Sequence, residues 1–165
     1  PIKKRNLTIK DSQVILLGAG GAARAIITAM VKEKAGKITI VNRTMENAIK
    51  LAEFAKKIGG NVDIVSLQKA NKIIADYKFI INSTSIGMKN EPSTLSTENI
   101  GKDTIVYDIV YQPINTDLVK KSKENGATII YGYEMLLSQA ARAFEIWHKI
   151  EPPYDAMKKA LLGGF

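Results

Sequence analysis

Cysteine is absent from this 165-residue sequence, and histidine occurs once, as His148. Without cysteine there is no disulfide framework, no thiolate metal site and no cysteine nucleophile. One histidine cannot build a zinc cluster, and it leaves a Ser-His-Asp arrangement weakly supported. Internal repeats and low-complexity tracts are missing as well. Hydrophobic residues at 45% and charged residues at 24% exclude a disordered tail, a collagen-like fibre and a coiled-coil rod. The length fits one domain and little more.

No long hydrophobic run survives inspection either. The most apolar stretch, residues 14–31, carries one charge, Arg24, but Gly18, Gly20 and Gly21 interrupt it. A strand, a turn and a helix explain it better than a membrane span. Residues 1–12 are polar, so no signal peptide is expected, and the reading is a soluble cytoplasmic protein. Acidic charge is scarce: 24 Lys and Arg against 16 Asp and Glu give a net charge of +8. Such a surplus favours anionic ligands such as phosphorylated cofactors or carboxylates. The cations lie in short runs, Lys3-Lys4-Arg5, Lys56-Lys57, Lys120-Lys121-Lys123 and Lys158-Lys159, with no aromatic interleaved. Nucleic acid is not expected as a partner, nor is a membrane.

What is present is an alternation of strand and helix patterns with short connections. Strands are predicted over residues 13–17, 37–41, 62–66, 79–82, 104–109 and 128–131. Helices are predicted over 22–34, 45–58, 69–77, 116–125, 133–149 and 155–162. The longest irregular stretch is 83–103. The long helix carries Leu136, Leu137, Ala140, Ala143, Phe144 and Trp147 at helical spacing. Six strands alternating with helices predict a three-layer αβα, Rossmann-like, doubly wound parallel sheet in the order 3-2-1-4-5-6. Its ligand belongs at the switch point between strands one and four. The domain would run from 13 to 150, after a leader or linker at 1–12 and before a short C-terminal helix at 151–165.

Two places carry chemistry. After the first strand, Gly18-Ala19-Gly20-Gly21-Ala22-Ala23 fits G-x-G-x-x-A. Gly18 would permit the tight turn, Gly20 would let backbone approach a pyrophosphate, and small Ala23 would let the helix sit close. The helix start turns N–H groups and its positive dipole end toward the phosphates. S-adenosylmethionine enzymes use similar turns, and a glycine turn can also merely pack, so the second strand decides. An NAD site places an acid there for the ribose hydroxyls. This chain has Asn42-Arg43-Thr44, with no carboxylate until Glu46. A guanidinium can grip a 2′-phosphate in two-point fashion, and the Thr44 hydroxyl can add a bond. NADP is therefore favoured over NAD and over a methyl donor. Thr44 can also cap the following helix, and the two roles are compatible.

Five segments in order carry a resemblance: residues 18–22, Asn42-Arg43-Thr44, Asn82-Ser83-Thr84-Ser85-Ile86-Gly87-Met88, Asp108-Ile109-Val110-Tyr111-Gln112-Pro113, and Gly132-Tyr133-Glu134-Met135-Leu136-Leu137-Ser138-Gln139-Ala140. Together they resemble the C-terminal, NADP-binding part of the shikimate dehydrogenase family, from about residue 14 to residue 162. The resemblance implies that Gly18, Ala19, Gly20, Gly21 and Ala22 bind the pyrophosphate. It implies that Asn42, Arg43 and Thr44 hold the 2′-phosphate and that Thr84 and Ser85 lie along the cofactor. Ile109 and Gly132 would contact the nicotinamide half, with Met135 against the ring, while Tyr111 and Gln139 would reach the substrate.

The activity implied is reversible NADPH-dependent reduction of 3-dehydroshikimate to shikimate, in aromatic amino-acid biosynthesis. A quinate-type relative and a non-catalytic nucleotide-binding module are the alternatives. Two positions depart from the family pattern: Asn47 stands where a base often follows, with Lys50 one turn on, and Glu134 is unexpected. In the family a preceding domain shares the small-molecule substrate and supplies the lysine–aspartate pair that handles the proton. No catalytic residue is expected within this chain, and alone it is expected to be inactive.

Overall fold

Successive side chains of a strand point to opposite faces of its sheet, so an uncharged strand must be covered twice. In the computed structural model, which describes residues 1–164, the central strands meet this condition. The strands are β1 (Gln13–Leu17), β2 (Lys37–Val41), β3 (Val62–Val65), β4 (Phe79–Asn82), β5 (Ile105–Asp108) and β6 (Thr128–Ile130). All neighbours pair in parallel, in the order β3-β2-β1-β4-β5-β6, as the alternation predicts.

On one face Val14, Leu16, Ile38, Ile40, Phe79 and Ile81 meet α1 (Gly21–Lys32) and α2 (Met45–Lys57). Those helices answer with Ala23, Ile27 and Met30, and with Ala48, Leu51, Ala52 and Ala55. On the other face Ile15, Leu17, Ile80, Val106 and Ile129 meet α3 (Leu67–Ile73) and α4 (Asp117–Glu124). The chain closes with α5 (Gly132–His148) and α6 (Tyr154–Leu162), which pack on each other.

Several boundaries shift from the sequence pattern. The third strand stops before Ser66, whose hydroxyl accepts the Lys69 N–H at 3.2 Å and caps α3. The helix expected over 69–77 is α3 followed by a 3-10 turn, Ile74–Asp76. The first helix begins one residue earlier than expected, at Gly21, and ends at Lys32. Trp147 does not join the apolar stripe of α5: it is 77% exposed, as are the flanking Ile146 and Ile150 to lesser degrees. Residues 83–104 contain no helix or strand, yet Leu95 and Ile100 are buried beneath the sheet's second face.

The N-terminal residues lie on the domain. Ile9 is buried, Ile2 and Leu7 pack against the core, and Lys10 bridges to Ala35. Phe79, fully enclosed on the central β4, anchors the larger core cluster. Phe79→Ala is expected to destabilise the chain by about 3–5 kcal/mol, whereas Trp147→Ala stays within about 0.5 kcal/mol. Urea denaturation of the two variants measures the contrast.

Candidate functional site

The glycine turn is built by three strand ends. Gly18 follows β1 with φ of +100°, and a Cβ there would stand 2.7 Å from the Ser83 hydroxyl. Its N–H donates to the Val41 carbonyl at 2.8 Å, at the end of β2. Ser83, just past β4, donates its N–H to the Leu17 carbonyl at 2.9 Å. A larger residue at 18 would therefore prise these ends apart. Gly20 and Gly21 are different: nothing lies within 4 Å of an added Cβ at either. Gly20 has φ −91° and ψ −164°, which any residue adopts, so its value lies in the space above it. The first turn of α1 has neither a side-chain cap nor an acidic residue. Its N–H donors face that space with the positive end of the helix behind them.

At the end of β2 the Asn42 amide donates to the Thr44 carbonyl at 2.8 Å and shapes the turn. Arg43 and Thr44 are exposed, and Thr44 occupies the N-cap position of α2 without a side-chain bond to the helix. Arg43 forms no ion pair among the described residues. Asn47 is exposed, and Lys50 one turn on pairs with Glu46 at 2.5 Å, so its charge is already partly answered.

Beyond β4, β5 and β6 lies a cleft of about 330 Å³. Thr84, Ser85, Ile109, Tyr111, Gly132, Met135 and Gln139 line it together, although they come from three separate stretches of chain. Gly132 is what lets α5 start there. A Cβ on it would collide with the carbonyl oxygens of Ile109 and Val110. Tyr111 and Gln139 are exposed at the cleft, while Ile109 and Met135 are half-buried.

Beneath the cleft runs a buried polar network. Asp108 is fully enclosed and is opposite Asn82 in the β4–β5 register. One carboxylate oxygen accepts from the Asn82 amide at 2.9 Å and from the Val110 N–H at 3.0 Å. The other accepts from the Thr116 hydroxyl at 2.6 Å. The Asn82 carbonyl oxygen in turn accepts the Thr84 N–H at 3.1 Å and the Thr84 hydroxyl at 2.7 Å. Two loops that line the cleft are thus tied to one carboxylate. Asp108 has no face toward the cleft and acts as a brace, not as a proton-transfer group. Burial pushes its carboxyl above the ordinary value, and the three hydrogen bonds only partly offset that.

A family model described as Shikimate / quinate 5-dehydrogenase matches residues 2–110, and one described as Shikimate 5'-dehydrogenase C-terminal domain matches 132–162. The chain belongs to the shikimate / quinate 5-dehydrogenase family. It is 59% identical over 165 residues to the shikimate dehydrogenase (NADP(+)) of Nitrosopumilus maritimus, covering 100% of this chain and 60% of that protein. The solved quinate dehydrogenase from Corynebacterium glutamicum in complex with NAD is similar at a TM-score of 0.89 and 27% identity. That likeness covers 98% of this chain and 58% of the other. Shikimate 5-dehydrogenase from Listeria monocytogenes, in complex with shikimate and NAD, aligns at 0.88 and 32%, over 97% and 59% of the two chains. The chain spans about 60% of the length of the curated relatives it matches.

Within this family member, two side chains were given no role by their pattern alone. Asn82 and Asp108 end adjacent buried strands, and a polar residue at such a place is the signal that could have found them. Glu134, the unexpected residue, caps its own helix: its carboxylate accepts the Tyr131 N–H at 3.0 Å and a two-point contact from Arg5. Tyr131 and Tyr133 stack at 5.6 Å, and His148 is exposed at the end of α5.

Asp108 makes stability depend on pH. Its carboxyl holds a proton more firmly when folded, so stability falls as pH rises from the ordinary value of 3.8 through the raised one. Asp108→Asn keeps the shape and has no charge to bury. Denaturation of both chains between about pH 4 and about pH 7 should show the variant gaining on the parent as pH rises. Parallel curves would contradict the burial of a titrating carboxyl.

Proposed function

We propose that this chain is the NADP(H)-binding part of a shikimate dehydrogenase that interconverts 3-dehydroshikimate and shikimate in aromatic amino-acid biosynthesis. The observation that carries the reading is the pairing of an open, uncapped helix start at Gly20 and Gly21 with an exposed Arg43 at the next strand end, in no ion pair among the described residues. The room above Gly20 accepts a pyrophosphate, and the N–H groups of the first turn of α1 bind it. Arg43 and Thr44 hold a 2′-phosphate, with Asn42 setting the turn. A net charge of +8 draws in both the polyanionic cofactor and a carboxylate substrate.

When bound, the nicotinamide supplies or takes up the hydride. Thr84, Ser85, Ile109, Gly132 and Met135 orient the ring side and keep water from it, braced by Asp108 through Asn82. Tyr111 and Gln139, exposed at the cleft, meet the substrate. Among the described residues, no carboxylate, histidine or lysine lines the cleft. The relatives are longer than this chain, and the reading assigns substrate clamping and the proton-transferring lysine–aspartate pair to that additional part. The substrates and cofactors of the relatives are water-soluble, which fits a cytoplasmic enzyme. A quinate-type reading is favoured by one observation, the likeness to a quinate dehydrogenase holding NAD. Arg43 weighs against NAD as the cofactor, because NAD offers no 2′-phosphate to pair.

The chain is expected to bind NADPH more tightly than NADH by roughly 10- to 150-fold, the worth of one charged hydrogen bond. Fluorescence titration with both cofactors measures this. Arg43→Ala should erase the difference, and Gly20→Val, which fills the space above the turn, should abolish binding of both. Equal affinities in the parent chain would overturn the role of Arg43.

A further inference from the structure

Lys3, Lys4 and Arg5 form one 3-10 turn, and each reaches a different helix. The Lys3 ammonium meets Glu33 at 2.7 Å, past the end of α1. Lys4 sits 3.5 Å above the Tyr154 ring, at the start of α6. Arg5 takes Glu134, in the first turn of α5, with Nε at 2.9 Å from one oxygen and Nη2 at 2.6 Å from the other. That geometry is the planar two-point match that only arginine offers. Side-chain exposures of 35% and 15% make it the least exposed ion pair among the described residues, where screening is weakest.

We infer that the Arg5–Glu134 pair is a positioning device for the nicotinamide side of the cleft, acting through the first turn of α5. The inference rests on the NADP(H) reading above. Glu134 is bonded at once to Arg5 and to the Tyr131 N–H, so it holds the start of α5 from both sides. Its neighbour Met135 is a shared wall. Met135 lines the cleft with Ile109 and Gly132, and it also lines an apolar groove of about 690 Å³ beneath Pro1, Ile2 and Leu7. Methionine is unbranched and fills whichever space it is offered. With Arg5 in place, the basic turn at Lys3–Arg5 and the first turn of α5 keep Met135 at the cleft. Without it, the turn loosens and Met135 gains room on the groove side. The turn at 18–22 follows β1 and Arg43 follows β2, and neither lines the groove, so the adenosine half stands apart from this change. Arg5 and Glu134 are positioning residues: neither lines the cleft.

Calorimetric titration of the full chain with NADPH and with 2′,5′-ADP, which has no nicotinamide, separates the two halves. Arg5→Gln is expected to weaken NADPH roughly two- to tenfold and to leave 2′,5′-ADP unchanged. Arg5→Lys, which keeps one charged bond, should fall between. Glu134→Gln, which keeps an acceptor for the Tyr131 N–H, should repeat the split and guards against a variant that fails to fold. Unchanged NADPH affinity in either glutamine variant, or an equal loss on both ligands, overturns the proposal. A parent chain that binds neither ligand overturns the nucleotide reading beneath it.

Discussion

A parallel sheet wound in two directions from its middle cannot close all of its loops over one another. From β1 the chain moves outward to β2 and β3, then crosses back to β4 and outward again to β5 and β6. The connections after β1 and after β4 therefore diverge, and a crevice opens between them at the C-terminal ends of the strands. Every candidate group stands on that edge: the turn after β1, Asn42 and Arg43 after β2, Thr84 and Ser85 after β4, Ile109 and Tyr111 after β5, and Gly132 and Met135 after β6. Topology collects them, and side-chain chemistry then decides what the crevice accepts.

Holding such an edge open needs braces, because loops that border a crevice have few neighbours. The structure supplies two of different character. Inside, Asp108 ties Asn82, Val110 and Thr116 into one hydrogen-bonded knot, and Asn82 passes the restraint to Thr84. A buried carboxylate is expensive unless its oxygens are satisfied, and here both are. Outside, the basic turn at Lys3–Arg5 joins three helices, with Arg5 on the helix that carries Gly132 and Met135. Part of the chain's surplus positive charge thus works within the fold. Arg43, by contrast, is left exposed just past the end of β2.

Much of this was legible in the sequence. Strand alternation, helix spacing and the glycine turn report local preferences, and they predict six strands, their order and the location of the crevice. Gly20 stands at a helix start for the same reason, since its spacing after β1 puts it there. The braces do not read in this way. Arg5 and Glu134 lie 129 positions apart, and Asn82 meets Asp108 only because β4 and β5 pair in one particular register. Trp147 misleads in the opposite sense: its spacing belongs to an apolar stripe, but the last turn of α5 leaves it exposed. Glu134, strange as a motif position, makes sense only once its distant partner is in view.

The central claim is that the turn after β1 and the strand end at Arg43 bind one dinucleotide, whose other end reaches the cleft beside Met135. Amide chemical-shift mapping on the isotope-labelled chain during titration with NADPH tests it directly. The account predicts that Gly20, Gly21, Ala22 and Arg43 shift together with Ile109, Gly132 and Met135, while the groove residues Leu7 and Ile9 stay largely unmoved. Shifts concentrated at Leu7, Ile9 and Ala29, with the glycine turn silent, would contradict it.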